Sequence, residues 1–149
     1  MAKGNQAAMV PVLGELLSDT FVLYVKTLNF HWNVVGPTFQ MLHELFQKQY
    51  EELAEAIDTI AEQVRMLGAT PPHTMRQFLD HATLVEAEGT RPAAQMVEEL
   101  ASDHERLIGR LRNAITQSQK AVDEATADLL IDRLRVHDKF AWMLRSHRG

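Results

Sequence analysis

Cysteine is absent from all 149 residues of the chain. That excludes disulfide frameworks, thiolate zinc sites, iron–sulfur clusters and cysteine nucleophiles, and leaves His, Asp and Glu as the side chains able to hold a metal. Glycine and proline are scarce, seven and five residues, so breakers are few and long uninterrupted elements are expected. Positive charge is in deficit: fifteen Lys and Arg face twenty Asp and Glu, a formal charge of −5. Such a chain has no overall basic field with which to grip nucleic acid or anionic lipid. Apolar runs such as Phe21–Val25 fall far short of the roughly 20 residues that span a bilayer. The first residues lack a charged start followed by an apolar core, so a cytoplasmic protein without membrane attachment is expected. With 46 % hydrophobic and 23 % charged residues, the composition is that of one globular domain over residues 1–149.

The breakers that mark boundaries are Gly4, Gly36-Pro37, Gly68, Pro71-Pro72, Gly89 and Pro92. Between them apolar residues recur at helical spacing: Leu13, Leu17, Phe21, Val25, Leu28; then Leu42, Phe46, Tyr50, Leu53, Ile57, Ile60, Val64, Leu67; then Val97, Leu100, Leu107, Leu111, Ile115; then Ala127, Leu130, Leu134, Ala141, Leu144. The pattern predicts helices over about 6–34, 38–67, 91–119 and 124–146. Thr38 is placed to cap the second and Gly68 to end it, while Thr90 precedes Pro92 at the start of the third. The connection between the second and third helices is too long for a simple bundle loop, and residues 74–79 are expected to form a short helix in it, with Phe78 and Leu79 packing down. The fold class is therefore all-α, a ferritin-like four-helix bundle with one long crossover.

Seven histidines supply candidate ligands. No Glu-x-x-His occurs, so the usual di-iron centre inside a bundle is not expected. The second helix instead offers His43 with Gln47 and Asp58 with Glu62, each pair four residues apart and so sharing a face. His31 reaches His43 if the first two helices run antiparallel. Imidazole and carboxylate together suit iron, manganese or zinc. His43 and Asp58 stand fifteen residues apart, about 22 Å along a straight helix, whereas ligands lie about 2 Å from a metal. The two sets meet only if two copies of the second helix pack antiparallel across a twofold axis, with His31 and His43 from one chain and Asp58 and Glu62 from the other. On spacing alone this competes with a plain solvated face in which Asp58 and Glu62 pair with Arg65. His104 and His137 lie on apolar stripes and read as packed core residues, His73 and His81 as surface groups. Trp32, Met41, Trp142 and Met143 read as core or interface packing, Trp32 and Trp142 also as aromatics near a redox metal.

His31-Trp32-Asn33-Val34-Val35-Gly36-Pro37-Thr38-Phe39 with Leu42-His43-Glu44-Leu45-Phe46, then Asp58-Thr59-Ile60-Ala61-Glu62 through Gly68, then Asp138-Lys139-Phe140-Ala141-Trp142, resemble the motifs of the Dps proteins, the DNA-binding proteins from starved cells. The resemblance covers nearly the whole chain. It implies a hollow shell of twelve subunits that binds Fe(II) at twofold interfaces, oxidises it as a ferroxidase, preferably with hydrogen peroxide, and stores ferric mineral. It implies His31 and His43 as ligands from one subunit and Asp58 and Glu62 from its partner, and so iron storage with protection from oxidative damage.

Gln47 departs from the family, which often has Asp there; a neutral amide is a weaker ligand. One firm site with a weaker or water-bridged neighbour is expected, with zinc also admitted and His147 a candidate replacement ligand. The resemblance also places Glu124, Asp128 and Asp132 at a threefold pore, where copies form acidic rings; the plain alternative is a solvated helix start. For DNA the chain offers only Lys3 in its first residues and the mildly basic Arg145-Ser146-His147-Arg148-Gly149, so binding at neutral pH is expected to be weak or absent. The alternative function is a non-enzymatic, nucleoid-associated shell that protects DNA by binding it.

Overall fold

The computed structural model describes residues 6–148; Lys3, Gly4 and Gly149 lie outside them. Among the described residues there are helices and no strand. In chain order they are α1 (Met9–Asn33), α2 (Phe39–Met66), α3 (Met75–His81), α4 (Ala93–Lys120) and α5 (Glu124–Ser146). None is long and apolar enough to cross a membrane.

The helix ends follow local chemistry. Gly36, at φ +108°, takes the left-handed turn between α1 and α2 that a side chain disfavours. Gly68, at φ +87°, ends α2: its N–H donates to Arg65 O and the Ala69 N–H to Val64 O, closing the orphan carbonyls of the last turn. Thr38 stands at the N-cap of α2 without a side-chain bond. The α4 start differs from expectation. Pro92, extended at ψ 150°, holds the N-cap position, because a proline stops the helix from beginning at Thr90. Thr74 caps α3 through Gln77 N, and Asp123 caps α5 through Thr126 N.

Two apolar clusters give the topology. One joins Phe30 of α1's C-terminal half and Val34 just after it to Leu42 and Phe46, to Met96 and Leu100, and to Leu144. The other joins Leu13 and Leu17 to Ile60 and Val64, to Leu111, and to Leu130. So α1 and α2 form one antiparallel pair, α4 and α5 another, and α2 and α4 run parallel, as the long crossover demands. The first-helix stripe is corrected. Leu23, Thr27 and Phe30 continue it inward, whereas Val25 is exposed. Phe21 turns instead to α3, its ring stacked on Phe78 at 4.3 Å and 13°. Leu79, expected to pack down, is exposed.

Between the apolar ends lies a buried polar layer. Lys26 Nζ meets Asp103 Oδ2 at 2.7 Å, and Arg133 donates to Glu52 Oε2 at 2.6 Å. His104 and His137 are fully buried and share a hydrogen bond between their Nδ1 atoms at 2.8 Å. Arg133 donates to His137 Nε2 at 3.3 Å, so His137 carries its proton on Nδ1 and donates to His104, whose own proton then sits on Nε2. His104 Nε2 and both amide atoms of Gln49 find no partner. Burial and the neighbouring Arg133 hold the His104 imidazolium off, down to about 3, and press His137 the same way. Both are core residues, as their stripes predict.

Candidate metal centre

The centre starts where α1 hands over to α2. His31 sits in the last turn of α1, whose carbonyls lack helical partners, and His43 in the second turn of α2. The five residues between the helices, 34–38, bring the helix ends back against each other. His31 Nδ1–H donates to His43 O at 2.7 Å, and His43 Nδ1–H donates to His31 O, also at 2.7 Å. The rings stack at 3.8 Å and 12°. Tyr50 stands edge-on to His31 at 5.1 Å, and Phe39 leans on His43 at 4.9 Å.

This reciprocity decides the chemistry. A carbonyl only accepts, so each neutral ring keeps its proton on Nδ1 and its lone pair on Nε2, the arrangement in which metal-binding imidazoles are held by a partner on the other nitrogen. An imidazole binds a metal in its own plane at about 2.0–2.1 Å. The rings are within 12° of parallel with their centroids 3.8 Å apart, so one ion cannot lie in both ring planes at that distance. Each ring therefore offers its lone pair to an ion of its own rather than to a shared one.

Asp58 and Glu62 lie together on the exposed face near the other end of α2. The Asp58 carboxyl beside Glu62 raises the Glu62 pKa above its ordinary value, as two crowded like charges do. Arg65 does not relieve them: it donates to Ala69 O at 3.1 Å. Among the described residues no group of three His, Asp or Glu converges on one point. The chain brings His31 to His43 and Asp58 to Glu62, and leaves the pairs at opposite ends of α2.

The other candidates fall as follows. Gln47 directs its Nε2 to Glu51 Oε1 at 2.9 Å. His147 lines a shallow groove with Thr38, Leu42 and Arg148 and joins neither ring of the pair. Trp32, Met41 and Trp142 are 66 %, 55 % and 61 % exposed, so packing in the chain's own core is ruled out for all three. His73 and His81 are exposed, each bonded through Nδ1 to a nearby carbonyl. Glu124, Asp128 and Asp132 form an exposed row along α5. Sequence reasoning missed Tyr50, Phe39 and Glu51; for Glu51 the available signal is its place four residues beyond Gln47. The half-buried Glu52 and the buried His104 and His137 surround the permanent charge of Arg133, which opposes a cation inside the bundle.

Residues 12–149 match the sequence profile of the ferritin-like domain. A low temperature-induced protein of Nostoc, itself described as uncharacterised, is 46 % identical over 144 residues, covering 95 % of this chain and 80 % of that protein. The DNA protection during starvation protein of Brevibacillus brevis is 40 % identical, covering 98 % of both chains. The crystal structure of the Dps protein from Vibrio cholerae superposes with a TM-score of 0.94 at 27 % identity, over 99 % of this chain and 92 % of that one. It is described as a member of a broad superfamily of ferritin-like diiron-carboxylate proteins. A four-helix bundle with a long crossover, carrying its imidazoles at one end of α2 and its carboxylates at the other, thus belongs to the ferritin-like family and, within it, to the Dps proteins.

Proposed function

We propose that two copies of this chain pack with their α2 helices antiparallel, and that each of the two equivalent sites so formed binds Fe(II) through His31 and His43 of one subunit and Asp58 and Glu62 of the other. The observation that carries this is the stacked histidine pair, with both Nδ1 protons tied to backbone and both Nε2 lone pairs free. The crowded carboxylates at the far end of α2 supply the complementary charge. Glu62 is the better candidate for a direct carboxylate ligand; Asp58 binds directly or through water.

The proposed reaction is ferroxidation. Each of two Fe(II) ions gives up one electron; hydrogen peroxide accepts both, its O–O bond breaks, and the oxygens leave as water or hydroxide. A two-electron acceptor facing two one-electron donors releases no hydroxyl radical. Ferric ion hydrolyses, sheds protons and is stored as mineral inside a hollow shell of twelve subunits. The acidic row of Glu124, Asp128 and Asp132 leads cations inward, and exposed Trp32, next in sequence to His31, takes up stray oxidising equivalents. The reading is of iron; nothing in the donor set singles out zinc. Fe(II) consumption by peroxide, followed by absorbance, tests it. The native protein is expected to be fast and the His31→Ala/His43→Ala variant no faster than buffer.

The second reading, a DNA-protecting shell, has the name of the Brevibacillus relative in its favour. The surface argues against tight binding at neutral pH. Arg145 is paired with Glu105 at 3.0 Å and Arg148 with Glu98 at 2.5 Å, so the C-terminal arginines are already neutralised. A low-salt gel shift at neutral pH is expected to show no compaction.

A further inference from the structure

His43, Gln47 and Glu51 follow one another at intervals of four along one face of α2. Gln47 Nε2 donates to Glu51 Oε1 at 2.9 Å. The two ends of an amide are unlike: its carbonyl oxygen attracts a cation, its NH2 group repels one. An ionised carboxylate only accepts, so Glu51 can take only the NH2 end. The planar amide then turns Oε1 away from Glu51, and no described residue donates to it.

We propose that Glu51 is a positioning residue for metal binding: by holding the NH2 group of Gln47 it commits Gln47 Oε1 to serve as an oxygen ligand for the ion on His43. This rests on the reading that the His31–His43 pair binds Fe(II), and adds how a neutral amide does the work of a carboxylate at the weaker position. Unanchored, Gln47 would spread over many side-chain rotamers and both amide orientations, only a small fraction of which aim the oxygen at the ion. Charge alone does not account for the arrangement, since a carboxylate free of Gln47 would attract cations without selecting the amide's face.

The test is isothermal titration of the assembled protein with Co(II), which mimics Fe(II) without being oxidised, with assembly checked by size-exclusion chromatography. Native protein is expected to bind two ions per histidine pair with unequal affinity. Glu51→Ala is expected to weaken the second ion about tenfold, the worth of one orienting hydrogen bond, and to spare the first. Glu51→Gln, whose carbonyl still accepts from Gln47, is expected to stay within about twofold of native, and Glu51→Ala is expected to add nothing in a Gln47→Ala background. Native affinity in Glu51→Ala would overturn the proposal. So would a loss in Glu51→Gln as large as in Glu51→Ala, which would make Glu51 a source of charge or a direct ligand. Native protein that binds no ion at the pair would instead overturn the underlying reading of function.

Discussion

His31 and His43 each donate Nδ1–H to the other's backbone carbonyl at 2.7 Å, across the turn that joins α1 to α2. One pair of bonds closes a helix end, fixes both tautomers and lays the rings face to face at 3.8 Å. On the proposed reading the rings serve separate ions, so His31→Ala and His43→Ala should each remove one of two ions per site. Titration of the single variants with Co(II) checks this; a single variant that loses both ions, or neither, contradicts it.

The buried histidines set a pH dependence of stability. Their folded-state pKa values are depressed, His104 to about 3, against about 6.5 in the unfolded chain. The unfolded state therefore binds more protons between those values. The stabilisation is fully present above pH 6.5 and is lost as pH falls toward 3, at about 1.4 kcal/mol per pH unit for each histidine. Burial raises the Asp103 carboxyl and acts in the opposite direction, equally in any variant that retains it. Urea midpoints at pH 7, 6 and 5 should fall more steeply for native protein than for His104→Phe/His137→Leu; parallel slopes contradict the assignment.

Val122 stands at φ +55° where α4 ends, with the Val122 N–H bonded to Gln119 O and the Asp123 N–H to Ser118 O. The turn is the one that Gly68 makes after α2, carried here by a β-branched residue at a cost of about 1–2 kcal/mol. Val122 is exposed, so Val122→Gly loses little packing. It should raise stability by about 1 kcal/mol, seen as a thermal midpoint a few degrees higher; a lower midpoint contradicts this.

Lys26 and Asp103 form the most buried ion pair, 7 % and 11 % exposed. Lys26→Met leaves a buried carboxylate alone and should cost about 3–5 kcal/mol, most of which Lys26→Met/Asp103→Leu should recover. Denaturant unfolding of both variants checks this; a double variant as unstable as the single one contradicts it.

Glu124→Gln/Asp128→Asn removes two charges from the exposed row on α5. Iron uptake should slow several-fold with the size-exclusion profile unchanged. Uptake at the native rate would remove these residues from the entry path.

The architecture was legible because few breakers and a steady 3.6-residue period leave little choice, and Phe78 alone was enough to anchor the short crossover helix. Caps were harder: Thr90 looks like one, but Pro92 two residues later fixes where α4 can begin. Val25 and Leu79 read as core and are exposed, since spacing marks a stripe without saying which neighbour covers it. His31 and His43 were legible as a pair. The reciprocal backbone bonds that fix their tautomers depend on the angle of the turn, which no spacing encodes. Glu51 was passed over because its bond is to Gln47, and its place four residues beyond Gln47 is the only signal of that in the sequence.

Complementation tests the shared site most directly. His31→Ala/His43→Ala chains lack one half of every site and Asp58→Asn/Glu62→Gln chains the other, so neither assembly alone should oxidise Fe(II). A mixed pair of the two chains holds one intact site and one doubly defective one. Unfolded together and reassembled at equal amounts, the inactive variants should recover about a quarter of native activity. No recovery in correctly sized particles would mean that each chain completes its own site, and would contradict the account.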